Sequence, residues 1–309
     1  MFQWLKARPR QTRQLGLEFR DDGFAAAVVE PRDGVMRVVG VRWCPVRTPD
    51  ERLPLLRQCL RDMDAEGLPV VATLQLGAYS LVQLEHPGLG EDELVEAMRW
   101  KVKDLIDFPV EQAVIDVFAL PQSRRPGAPA LLYVVVAREH MVTALSSLLQ
   151  DADLEIVAVD VVEMAIRNLA RMVDRPQRPR AYLLLHAGQT VIEIADAEQV
   201  YLSRRVLQDF DVGADQLLLQ AQMENLALEV QRSLDYFESQ YAVGAADQLT
   251  VLAGSEPAYE AFATVAERYL TVPTQRFAVD GFDGGETSGQ IQQALTAVGA
   301  AMRDLPWAA

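Results

Sequence analysis

The chain has 309 residues, half of them apolar and 24% charged, with a net charge of −15. That length and balance describe a globular protein with core enough for two or more subdomains, and they exclude a disordered chain. The acidic balance argues against general nucleic-acid binding. No apolar run nears the roughly 18 residues of a membrane span, and the start lacks the apolar stretch of an export signal.

Residues 1–13 are a basic tail with Lys6, Arg8, Arg10 and Arg13 beside Phe2, Trp4 and Leu5; peripheral contact with an anionic membrane and a solvated terminus are both open readings. Three short runs rich in β-formers follow: Gln14–Arg20, Phe24–Glu30 and Val35–Trp43. They are separated by Asp21-Asp22-Gly23 and by Pro31-Arg32-Asp33-Gly34, which reads as a strand meander. A helix is predicted over Asp50–Glu66, ended by Gly67. A strand from Tyr79, a helix over Glu91–Asp107 stopped by Phe108-Pro109, strands at Ala113 and Leu131, and a helix over Arg138–Asp151 form an αβ unit inserted within the first half. Its Pro121–Pro129 loop is predicted to be mobile. A strand over Leu154–Val161, a helix over Val161–Val173 and the Pro-containing linker Asp174–Arg180 complete the half.

The meander then recurs as Ala181–His186, Thr190–Ala195 and Gln199–Val206, with Glu18 matching His186 at an offset of 168. A long helix over about 214–241 carries an apolar stripe from Leu219 to Tyr241, and Leu249–Ala253 is a strand. The predicted organisation is a first-half core (14–78 and 152–175), an insertion (79–151), a second half (180–303) and a tail (304–309). Cys44 and Cys59 have no C-x-x-C spacing and read as reduced thiols; His86, His140 and His186 lack ligand spacing, so no metal site is assigned.

Four segments carry a resemblance: Trp100–Pro121, Val159–Ala170, Leu228–Tyr241 and Leu295–Arg303. Together they resemble the PilM family of type IV pilus assembly proteins, most closely its MshI-like members. The resemblance implies the α/β, actin/FtsA-like fold: two homologous halves with an inserted subdomain and a nucleotide cleft. In that fold two β-hairpins cradle ATP phosphates, each with an Asp that orients Mg²⁺. Here Glu18 and His186 stand at the Asp positions, and Arg20 stands where a Gly is expected; Gly188 and Thr190 are kept. Glu229 and Arg232 match the adenosine-contacting helix and also read as a surface i,i+3 ion pair. Gly254 matches the turn beneath adenine, and Asp160 reads either as a helix cap or as a group reaching water or metal.

On this reading the chain is a degenerate ATPase rather than an enzyme. No cofactor is expected on the altered hairpins, ATP with Mg²⁺ being what the fold would take. The implied role is a cytoplasmic scaffold, peripheral at the inner membrane. It would bind the N-terminal peptide of a PilN-like bitopic protein and contact the assembly motor or platform, with Trp100, Leu105 and Phe108 as candidate partner-binding residues or core. An ATP-binding switch is the alternative.

Overall fold

The computed structural model describes residues 13–32, 35–172, 178–186, 189–207, 210, 212–213, 215–278 and 287–305. In chain order the elements of the first half are β1 (Gln14–Arg20), β2 (Gly23–Arg32), β3 (Val35–Pro45), α1 (Arg52–Asp62), β4 (Pro69–Thr73), β5 (Tyr79–Glu85), α2 (Glu91–Val102), β6 (Ala113–Ala119), β7 (Leu131–Arg138), α3 (Glu139–Asp151), β8 (Glu155–Asp160) and α4 (Val162–Leu169). The rest comprises β9 (Arg180–His186), β10 (Gln189–Ala195), β11 (Val200–Val206), α5 (Gln216–Gln240), β12 (Leu249–Ala253), α6 (Glu256–Tyr269), β13 (Thr274–Arg276), α7 (Ser288–Gln293) and α8 (Leu295–Ala301).

Two five-stranded sheets have the same order, β3-β2-β1-β4-β8 and β11-β10-β9-β12-β13; β5-β7-β6 is a separate sheet. In each large sheet an antiparallel meander comes first and a parallel strand then joins its leading strand. Strand alternation decides what each face meets. Leu15, Leu17 and Phe19 of β1 pack with Leu56 and Leu60 of α1 and Leu149 of α3. The opposite face, carrying Gly16, Glu18 and Arg20, turns toward α8, and Gly16 allows the approach: a Cβ there would lie 2.6 Å from the Ala301 nitrogen. In β9, Leu183 and Leu185 meet α5 and α6, while Tyr182 and Leu184 face the first half.

The closing helices are exchanged between the halves. α4 lies against β10 and β11, whereas α8 lies against β1, β2 and β4. The two helices cross at small residues: a Cβ on Gly299 would lie 2.7 Å from the Ala165 carbonyl carbon, and the Asn168 amide donates to Gly299 O at 2.9 Å. Residues 295–301, which the sequence reading placed at the end of the second half, thus cover the first sheet.

In the insertion, Leu94, Met98 and Val102 of α2 pack on Leu132, Val134 and Val136 of β7. Helix α2 ends at Val102, five residues short of its predicted end, and the chain turns back so that Arg99 donates to Val110 O at 3.0 Å and Ala113 O at 3.1 Å. The other face is fastened to the second half. Tyr133 Oη donates to Ser203 O at 3.2 Å, and Arg205 donates to Glu163 Oε1 at 3.1 Å and Tyr79 O at 2.6 Å. The loop expected to be mobile is tied to the end of α5, where Arg124 N and Ser123 Oγ donate to Gln240 O at 2.7 and 3.2 Å.

Candidate functional site

Both leading hairpins are ladders of seven residue pairs; the first closes at Arg20–Gly23 and the second at His186–Gln189. Matching the ladders pairs Arg20 with His186, an offset of 166 rather than the expected 168. The residue standing in the place of His186 is thus Arg20, not Glu18. Both lie at the tips of leading strands, on the faces the halves turn toward each other, and they meet.

Arg20 Nη1 contacts His186 Nδ1, Nη2 donates to Gln293 O at 3.0 Å, and the guanidinium lies 3.9 Å from the centre of the Trp43 ring. A guanidinium only donates, so Nδ1 must offer its lone pair and the imidazole is the neutral Nε2–H form. Burial, and then the Arg20 charge, hold the His186 pKa well below its ordinary value. The Gly254 backbone receives the ring: a Cβ there would lie 3.3 Å from His186 Cδ2, so this glycine makes room for imidazole. Ser255 caps α6, its hydroxyl accepting from Ala258 N at 3.4 Å.

Glu18, two residues before Arg20 on the same face, is 1% exposed. Burial raises its pKa, against the Arg20 charge and the Thr296 hydroxyl. A carboxyl held toward its neutral form is a poor Mg²⁺ ligand. The cleft in front of Arg20 and His186 measures about 250 Å³ and is walled by Asp22, Trp43, Phe210, Val212, Ser255 and Gln293 among others. Small-molecule sites usually occupy about 300–1,000 Å³.

Of the residues read from sequence, Arg20, His186 and Gly254 are brought together, with Glu18 behind them. Thr190 is buried in β10 and does not line this cleft. Glu229 and Arg232 form an ion pair on α5, with Arg204 at 3.9 Å from Glu229, also away from the cleft lining. Gly188 lies outside the described residues, as do all the basic-tail residues except Arg13, which stands 3.9 Å from Glu30. Asp160 is no helix cap: Val161 holds the cap position, and Asp160 pairs with Arg303 at 2.7 Å. Trp100 and Leu105 are 69% and 56% exposed, while Phe108 is half-buried with the Arg138 guanidinium 4.3 Å from its ring centre. Trp43 and Gln293 escaped the sequence reading. Trp43 sits opposite Ala25 in the β2–β3 ladder, a placement that its local pattern does not disclose.

These halves, sheets and facing hairpins define the actin-like fold, the fold also of a Bacteroides thetaiotaomicron protein with an actin-like ATPase fold (TM-score 0.54, 10% identity, 94% of this chain and 96% of that one). Within that fold the chain is similar over its length to a chain of the PilM-PilN type IV pilus biogenesis complex, with TM-score 0.76 and 21% identity across 96% of this chain and 100% of that one. It is also similar to the cytoplasmic domain of EpsL, an inner-membrane component of the Vibrio cholerae type II secretion system (TM-score 0.51, 12% identity, 93% and 94% covered). No family model and no curated protein matches the sequence. Among the described residues no helix is long and apolar enough to cross a membrane.

Proposed function

We propose that this chain is a PilM-like scaffold of a type IV pilus or related secretion platform, acting at the cytoplasmic side of the inner membrane. Its partner is the cytoplasmic N-terminal segment of a PilN-like bitopic protein, through which it joins the assembly motor. An MSHA-type pilus is the narrower assignment, supported by the sequence resemblance. The observation that carries a scaffold over an ATPase is the Arg20–His186 bridge: a side chain of one half and a side chain of the other fill the space between the hairpin tips. A phosphate chain and its hydrated Mg²⁺ need that space open and lined by backbone donors and carboxylates. Exposed Trp100 and Leu105 support a partner surface on the insertion, since interface anchors are enriched in tryptophan.

Two measurements test this. Titration calorimetry with Mg·ATP should give no heat of binding; a micromolar dissociation constant would replace the scaffold reading with the ATP-switch one. A pull-down from membranes with the tagged protein should retain a bitopic inner-membrane protein, and Trp100→Ala with Leu105→Ala should lose it. Retention of that partner by the double variant would remove these residues from the surface.

A further inference from the structure

The cleft contains its own occupant. Hinged α/β proteins close around a ligand because it touches both halves at once. Here Arg20 makes those touches without a ligand. It leaves β1 in the first half, reaches the His186 imidazole of the second, and donates to the Gln293 carbonyl at the end of α7. Trp43 holds its guanidinium from one side at 3.9 Å. Arg20 is only 8% exposed and His186 only 5%, so the junction is nearly dry. Each partner supplies what the other lacks, because the guanidinium has donors alone and a neutral imidazole keeps one lone pair. The two residues are pseudo-symmetric equivalents, so the junction lies where the hairpins approach each other. The insertion repeats the fastening at a distance through Tyr133–Ser203 and Arg205–Tyr79.

We propose that Arg20 and His186 form a latch that holds the halves closed in place of a nucleotide, so closure is a standing property of this chain and not a response to ATP. The proposal rests on the reading of the cleft as a former phosphate site. It does not depend on which membrane partner is bound.

Hydrogen–deuterium exchange on the full-length protein tests it. The variants are His186→Ala, which removes the acceptor; His186→Gln, which restores one through its side-chain carbonyl; and Arg20→Met, which keeps an apolar stem over Trp43. Amides at the hairpin tips and at the β12–α6 turn should exchange about ten-fold or more faster in His186→Ala and Arg20→Met, since losing a buried charge-assisted bond lowers the cost of local opening. His186→Gln should stay near the native rate. Millimolar Mg·ATP should change none of the profiles. Equal protection in His186→Ala and the native protein overturns the latch, and so does added protection of the native protein by Mg·ATP. If Arg20→Met does not fold, the two His186 variants still decide: the latch requires loosening in alanine and retention in glutamine. A failed membrane pull-down with unchanged exchange behaviour would count against the scaffold reading and leave the latch standing.

Discussion

Replacing His186 with glutamine should remove an acid sensitivity built into the junction between the halves. In the folded protein the imidazole is neutral, because burial and the facing Arg20 charge disfavour a proton there. In the unfolded chain it titrates near 6.5. A depressed folded pKa means that the stability is fully present above about pH 6.5 and is lost as pH falls below it. Between pH 7 and pH 5 the unfolded imidazole goes from mostly neutral to almost wholly protonated, which favours unfolding by up to about 2 kcal/mol if the folded imidazole stays neutral throughout. Glu18 and Glu193 act in the opposite sense, since burial raises both their folded pKa values. Glutamine leaves both carboxyls in place, so the native-minus-variant difference isolates the imidazole. Urea unfolding of both proteins at pH 7 and pH 5 measures it. The native protein should lose up to about 2 kcal/mol more than His186→Gln over that interval. Parallel pH profiles would refute a neutral, Arg20-facing His186.

Three further outcomes follow from packing, charge and the cleft. Glu193→Gln should gain stability relative to the native protein as pH rises above about 4.5, at up to about 1.4 kcal/mol per pH unit until the native carboxyl ionises in place; denaturant melts at pH 5 and 7 should show that slope. Gly16→Ala should destabilise by about 3 kcal/mol, because the added methyl meets the backbone of α8, whereas Gly289→Ala, with no neighbour nearer than 4.0 Å, should fall within about 0.5 kcal/mol of native in the same assay. Arg20→Gly with His186→Asp should bind Mg·ATP measurably by calorimetry if only the phosphate contacts have been lost; continued absence of binding would show that the cleft itself no longer accommodates a nucleotide.

The repeated meander was legible because strand-forming runs and turn residues recur in the same order, and that order fixes how neighbouring strands pair. Its register was not. Matching Glu18 to His186 compared residue kinds, while the ladders end at Arg20 and His186, and only cross-strand pairing reveals where a ladder ends. Trp100 was readable in part: Leu94, Met98 and Val102 keep helical spacing and are buried, and Trp100 falls off that stripe. The destination of α8 was illegible, because an apolar helix carries no mark of which sheet it will cover. Arg20 looked like an obstruction in one hairpin, and became a contact only when the second hairpin stood opposite.

The exchange of α4 and α8 has a consequence for how this protein is made. During synthesis the strands of the first sheet emerge before the second half, but the helix that covers the Gly16 face follows every described strand of both large sheets. Until then that face stays open, and α4 waits for a second sheet not yet complete. Neither half can therefore complete its packing without a segment from the other. Chains truncated before Leu295 should expose apolar sheet surface and be captured by chaperones, since every described strand would be present while one face of the first sheet lacked its covering helix.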